Sequence, residues 1–262
     1  MVYMKKLLFI LFTFLLSLPL FADPKNIVYS QAFDFSAIDN LYISLTYENL
    51  QISRIYGNEI VIEIGSNNIK KIPQISVQDE SLKIFSNEQK TSRGNKCNVF
   101  LYIPQDFDAQ SIELSNVSGN ISADILQSQN AVHISNVSGR TDIAACSTEL
   151  YKVSSVSGNI TLQKIMVDFF DFNSTSGNIF AELEKAPQAS SKITNVSGKS
   201  LLYYPKNSSF ELWAFTVTGS IKRSDSATDK KDAGSNYHST IGTGGPALSI
   251  SSVSGKLEIT AY

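Results

Sequence analysis

Val132-His-Ile-Ser-Asn-Val-Ser-Gly-Arg-Thr-Asp-Ile143 alternates apolar and polar residues up to a glycine and alternates again beyond it. Its central phrase recurs along the chain as Asn116-Val-Ser-Gly119, Asn136-Val-Ser-Gly139, Ser155-Val-Ser-Gly158, Ser174-Thr-Ser-Gly177, Asn195-Val-Ser-Gly198, Thr216-Val-Thr-Gly219 and Ser252-Val-Ser-Gly255. Successive glycines lie 20, 19, 19, 21, 21 and 36 residues apart. A fixed period near this length marks a solenoid, one small unit stacked on itself.

The flanks of each glycine define the unit. The positions seven, five and two before it, with two and four after it, are apolar at 30 of 35 sites. The positions six and four before and three after are polar or charged at 17 of 21 sites. Alternation on both sides of a glycine predicts two short strands, each with one face inward, joined at a corner. Helical spacing does not fit. Glycine tolerates positive φ and so can turn the chain sharply. Asn or Ser three residues earlier can hydrogen-bond the backbone of the bend. Stacked rungs would set Asn116 over Asn136 and Ser155 over Ser174. Each rung is stable only between neighbours.

The sequence therefore predicts an all-β fold: a single-stranded parallel β-helix of about seven coils of about twenty residues over 111–262, with an inserted loop at 224–246. Residues 23–110 carry strand patterning without the phrase. Leu41, Ile43 and Leu45 alternate, as do Ile60, Ile62 and Ile64, and Val99-Phe-Leu-Tyr-Ile-Pro104 ends in a ladder-stopping proline. This part is expected to begin the stack and cap it, since an open sheet edge invites aggregation. A transmembrane barrel fits less well, because its strands need about 9–11 residues and these runs last about five.

Residues 1–22 read as a secretory signal peptide: Lys5 and Lys6, an uncharged apolar run from Leu7 to Phe21, then the small Ala22. The predicted location is exported, periplasmic or at the cell surface. In an oxidising compartment Cys97 and Cys146, the sole cysteines of the chain, could close a disulfide. Two buried free thiols are an equally simple account, and the sequence leaves both open.

Composition narrows the chemistry. The 262 residues are 42% hydrophobic and 18% charged, enough apolar material for a sizeable core. A formal charge of -2 speaks against a nucleic-acid partner, which would call for a basic excess. Two His and two Cys leave little for a zinc site, and no metal or cofactor is predicted. The outward row six before each glycine reads Glu113, His133, Lys152, Asp171, Lys192, Trp213, Ser249, a salt-bridge ladder rather than paired carboxylates. Asp142 and Glu258, in the row three after, stand five rungs apart. His133 reads as surface, and His238 sits in a loop. A Ser repeated at every corner is a poor nucleophile candidate. Gly242-Thr-Gly-Gly245 lacks the Lys of a phosphate loop and reads as a turn. No catalytic residue is predicted.

The sequence resembles the bacterial putative-adhesin family with β-strand repeats, a domain of unknown function related to GIN-type auto-transporter adhesin heads. The Leu41-to-Ile64 strands, the Val99-to-Pro104 phrase, the recurring Val-Ser-Gly-Asn-Ile, and Ile241-Gly-Thr-Gly-Gly245 before Ser249-to-Ile259 carry the resemblance. It implies an exported β-helical protein and transfers no catalytic residues.

Candidate binding residues are outward hydrophobics where other coils carry polar ones. Phe180, Leu201 and Tyr203 fall on adjacent rungs, with Trp213 and Phe215 expected on the next. Such a patch is either a contact surface or lies beneath another segment, the polar Ser224–Pro246 insertion first. Expected partners are an unknown protein or glycan at the cell envelope. With no segment from downstream sequence to cap the last strand, either the Ser224–Pro246 insertion folds over that end or two copies meet there, a self-association through the C-terminal end. The functional expectation is a non-enzymatic adhesin-like or envelope scaffold protein. The alternatives are a periplasmic structural or envelope-stress protein and, less well supported, a polysaccharide-degrading enzyme.

Overall fold

A computed structural model describes residues 26–87, 97–224, 232–233 and 236–262. The predicted signal peptide and much of the first half of the predicted insertion lie outside the described residues. The fold is all-β and solenoid-like, with two 3-10 turns, and among the described residues no helix is long and apolar enough to cross a membrane.

Each repeat contributes a leading strand before its glycine and a trailing strand after it. Leading strands pair parallel and in register: Ala109–Asn116 beside Leu126–Asn136, then Cys146–Ser155, then Ile160–Ser176, then Ser191–Ser197. Trailing strands do the same, with Ile121, Thr141, Ile160, Ile179 and Ser200 aligned. A third side aligns Leu126, Cys146 and Ile165. Inward residues make one continuous core, in which Phe172 stacks on Phe170 at 4.7 Å and meets Tyr151 edge-on at 5.3 Å. Rings of this size on neighbouring rungs bury the apolar area that no rung could bury alone.

The rung order departs from the chain order. Ser191–Ser197 pairs with Ala247–Ser252, and that strand pairs in turn with Phe210–Thr216. Lys199–Tyr204 likewise pairs with Lys256–Ala261, which pairs with Ser220–Arg223. The Gly255 rung is thus inserted between the Gly198 and Gly219 rungs. The 36-residue gap holds the excursion: the chain skips one rung, caps the end with Asn236–Ile241 antiparallel to Phe210–Thr216, and returns through Gly242–Pro246. Gly242, Gly244 and Gly245 all have positive φ, as that tight return requires. The described part of the insertion thus lies over the end of the stack, as one of the two alternatives had it, and Lys256–Ala261 is paired on both edges.

At the other end, Asn40–Leu45 pairs with Ala109–Asn116, and Asn49–Ile55 with Ile121–Ala123. These two strands form a further rung without the phrase. Glu48 stands where the others have glycine, and its backbone carbonyl accepts from Asn116 Nδ2 at 2.7 Å. Its buried carboxylate gathers Thr46 N–H, Tyr47 N–H and Ser86 O–H on Oε2. Beyond this rung Ser81–Phe85 and Cys97–Pro104 still pair parallel with its two strands, and then the pairing changes. Glu59–Ser66 runs antiparallel to both Ile27–Asp34 and Cys97–Pro104, and Gln74–Gln78 antiparallel to Ser81–Phe85.

For the two cysteines, left open by the sequence, the structure has the second alternative. Cys97 and Cys146 are both buried and free. Cys97 opens a strand opposite Ser66, whereas Cys146 lies between Leu126 and Ile165 on the third side. Burial pushes the Cys97 thiol from its ordinary 9.0 up to about 12, and raises Cys146 further. Both thiols are expected to ignore Ellman's reagent at neutral pH in the folded chain and to react once it is denatured. A denatured chain with no reactive thiol would mean that they are bonded. The raised values also set an alkaline limit. An unfolded thiol ionises near 9.0, whereas folded Cys97 keeps its proton to about 12. This contribution to stability is complete below that ordinary value and is lost as pH rises through the interval, by up to about 1.4 kcal/mol per pH unit for each thiol. Urea midpoints measured at rising pH should fall, and Cys97→Ala should fall less steeply.

Candidate functional site

The corner is built from the residue three before each glycine. Asn116, Asn136, Ser155, Ser174, Asn195, Ser252 and Thr216 all point inward and are buried. In most rungs this side chain accepts the glycine's own N–H: at 2.9 Å from Gly119, 3.1 Å from Gly139, 2.9 Å from Gly158 and 3.0 Å from Gly219. The asparagines also reach across the gap between rungs. Asn136 Nδ2 donates to Gly119 O at 3.2 Å, and Asn195 Nδ2 to Gly177 O at 2.8 Å. A buried backbone carbonyl and N–H at each such bend are thereby satisfied.

The reason for glycine is therefore corrected. Of the seven repeat glycines, Gly198 alone has a positive φ. What the others require is closeness. A Cβ on Gly139 would sit 2.6 Å from the Gly119 carbonyl carbon, and one on Gly158 2.8 Å from that of Gly139. Each glycine lets the neighbouring rung's carbonyl come in over it.

Because the residue three before glycine is inward, the one after it is outward. This overturns the assignment of the valine two before glycine to the core. Val117, Val137, Val156, Val196, Val253 and Val217 are between 42% and 54% exposed, in one column along the corner, with Thr175 taking the same place in the Gly177 rung. A signal for it was present. Positions seven, five and three before glycine share one parity, and an inward residue at two before would break it.

The five predicted contact residues divide into two groups. Phe180 and Tyr203 lie on adjacent trailing strands with ring centroids 5.3 Å apart, and Leu201 sits beside Phe180 in register. All three are half-buried. The rung next to Leu201 holds Glu258, paired with Lys199 at 2.5 Å and Lys256 at 2.6 Å. Trp213 and Phe215 belong to a leading strand two rungs away, not to the next rung. Trp213 stacks on His238 of the capping strand at 3.9 Å, and His238 Nε2 lies 2.9 Å from Glu211 Oε2. The described part of the insertion thus partly covers the tryptophan, and among the described residues it does not reach the Phe180 cluster.

Several outward charges are paired. Lys152, Asp171 and Lys192 are register neighbours, with Lys192 Nζ 3.2 Å from Asp171. Arg140 stands 3.5 Å from Asp142, and Lys185 3.0 Å from Asp168. Among the described residues no three His, Cys, Asp or Glu side chains gather where a metal ion could sit. A shallow cavity of about 370 Å³ opens where the chain skips a rung, lined by Glu184, Lys185, Pro187, Pro205, Ser209 and Pro246 among others.

A family model, Toastrack DUF4097, matches residues 38–186 and again 131–260, and the chain belongs to that family. No curated protein matches it. Among solved structures it is similar to a putative lipid binding protein from Parabacteroides distasonis, at 13% identity and a TM-score of 0.47 over 88% of this chain and 96% of that one. It is also similar to a putative adhesin from Bacteroides fragilis, at 14% identity and 0.45 over 90% and 98%. A third is a putative cell adhesion protein from Clostridium sporogenes, at 12% identity and 0.43 over 89% and 98%.

Proposed function

We propose that this chain is exported and works without catalysis, as a single-stranded parallel β-helix whose outer rows bind a protein or glycan partner at the cell envelope. The observation that carries the reading is the Phe180–Leu201–Tyr203 cluster, three half-buried hydrophobics on an outward face where other rungs present Ser122, Asp142 and Thr161. The fold does not need them outside, since its core is filled from within. Aromatic groups at a partly wet surface are the usual anchors of a contact. The pairing of Asp142, Asp168, Asp171 and Glu258 with cations favours a structural role for those charges over an acid–base one.

Protease added to intact cells tests the location. Cleavage while a periplasmic marker survives places the chain outside, and the double variant Phe180→Ser/Tyr203→Ser should then lose attachment to host or matrix surfaces. Protection until the envelope is opened moves the partner into the periplasm. Attachment unchanged in the variant would remove the cluster from the reading.

A further inference from the structure

The corner carries a second surface, distinct from the Phe180 cluster. Across the seven glycine rungs, three outward rows contain no charged residue. The row four before glycine is Ser115, Ser135, Ser154, Asn173, Thr194, Ser251 and Phe215; the next outward rows are the exposed valines and the Ser or Thr preceding each glycine. The flanking rows hold charges such as Lys152, Asp171, Arg140 and Lys256. A neutral band of methyls and hydroxyls therefore follows the stack, repeating every rung, about 4.8 Å, over about 29 Å. The corner geometry does not demand valine, because Thr175 serves the same place.

The hydroxyls narrow the occupant. Ser118 Oγ donates to Thr46 O at 3.1 Å, Ser138 to Val117 O at 3.1 Å, Ser157 to Val137 O at 3.4 Å and Thr218 to Val253 O at 3.2 Å. A hydroxyl has one proton, so what these present outward is lone pairs. A partner that brings donors suits these four oxygens, and carboxylate, sulfate and phosphate groups bring none.

We infer that this band binds an uncharged, hydroxyl-rich linear polysaccharide laid along the stack, its C–H faces on the valines and its hydroxyls donating to the Ser and Thr oxygens. The inference rests on the reading of this chain as an envelope binding protein and names a ligand class and a place for it.

The test uses the folded chain with cello-oligosaccharides of increasing length and their carboxymethylated forms, read by calorimetry. Affinity should rise with oligomer length and fall on carboxymethylation. Val137→Lys/Val156→Lys should lose at least ten-fold and Ser138→Ala/Ser157→Ala a few-fold, while Tyr56→Ser, at an exposed turn outside the band, keeps full affinity. The serine pair removes only oxygens from exposed positions, so it remains informative if the lysine pair folds poorly. A folded chain that retains no neutral oligosaccharide overturns the inference. So does binding lost in Phe180→Ser/Tyr203→Ser but kept in the valine and serine variants, which would leave the envelope-binding reading standing at the other surface. A dimer dispersed by the lysine variants would assign the band to self-association instead.

Discussion

Gly158→Ala is expected to destabilise the protein by about 3 kcal/mol or more and to leave much of it insoluble. The added Cβ would lie 2.8 Å from the Gly139 carbonyl carbon, closer still to its oxygen, and 3.2 Å from Ser155 Oγ. The first two are backbone atoms of a rung fixed by its own ladder, with Ser157 N–H bonded to Val137 O at 2.9 Å. No flexible side-chain end can give way, so neighbouring rungs must part. Overpacking a core costs about 1–3 kcal/mol when side chains can shift, and more when they cannot. In a stack whose stability is a sum of neighbour contacts, opening one gap weakens both halves. Gly65→Ala is the control. Its Cβ would meet Phe100 at 3.7 Å, an ordinary contact, and the change should stay within about 0.5 kcal/mol. Urea unfolding followed by circular dichroism compares the two, and equal midpoints would refute the close approach of rungs.

That glycine also shows where the sequence is legible. Seven copies of one corner repeat one set of contacts, so the period, the strand pairs and most inward positions can be read directly. The chemistry of the corner cannot, because Asn136-Val-Ser-Gly139 fits a left-handed turn and a close approach equally well until the neighbouring carbonyl is located. The inward placing of the valines fails for a related reason. An apolar residue reads as an inward one, although the buried Asn or Ser beside it already occupies the inward phase. The rung order was hidden more deeply. Periodicity identifies rungs and says nothing of which are neighbours, and a chain that skips a place and returns leaves the pattern of each rung unchanged. For this reason Trp213 and Phe215, expected on the rung next to Tyr203, stand two rungs off. The Glu48 rung lacked the phrase altogether. It closes the column of glycine corners, and a side chain fits where the others have none.

The second large effect should come from Asn136→Ala, a loss of about 2–4 kcal/mol with no clash at all. Asn136 is 1% exposed; its Oδ1 accepts Gly139 N–H at 3.1 Å and its Nδ2 donates to Gly119 O at 3.2 Å. Alanine leaves a buried donor and a buried acceptor on adjacent rungs, each costing about 1–3 kcal/mol when no water replaces the partner. Asn136→Ser should recover about half. Ser155 shows how: its hydroxyl holds the glycine N–H of its own rung at 2.9 Å and does not cross to the next. Asn136→Asp separates the two bonds by charge. A carboxylate can accept from Gly139 and cannot donate to Gly119, and burial favours its protonated form. Its folded pKa is then above the unfolded value of about 3.9, so its stability is greatest below that pH and is lost as pH rises. Urea midpoints should rank wild type, Ser, Ala and Asp in descending order at neutral pH, with Asp recovering in acid. Hydrogen exchange at the Gly139 amide should quicken in the alanine variant. An alanine variant as stable as wild type, with that amide still protected, would mean that the asparagine column carries none of the coupling between rungs.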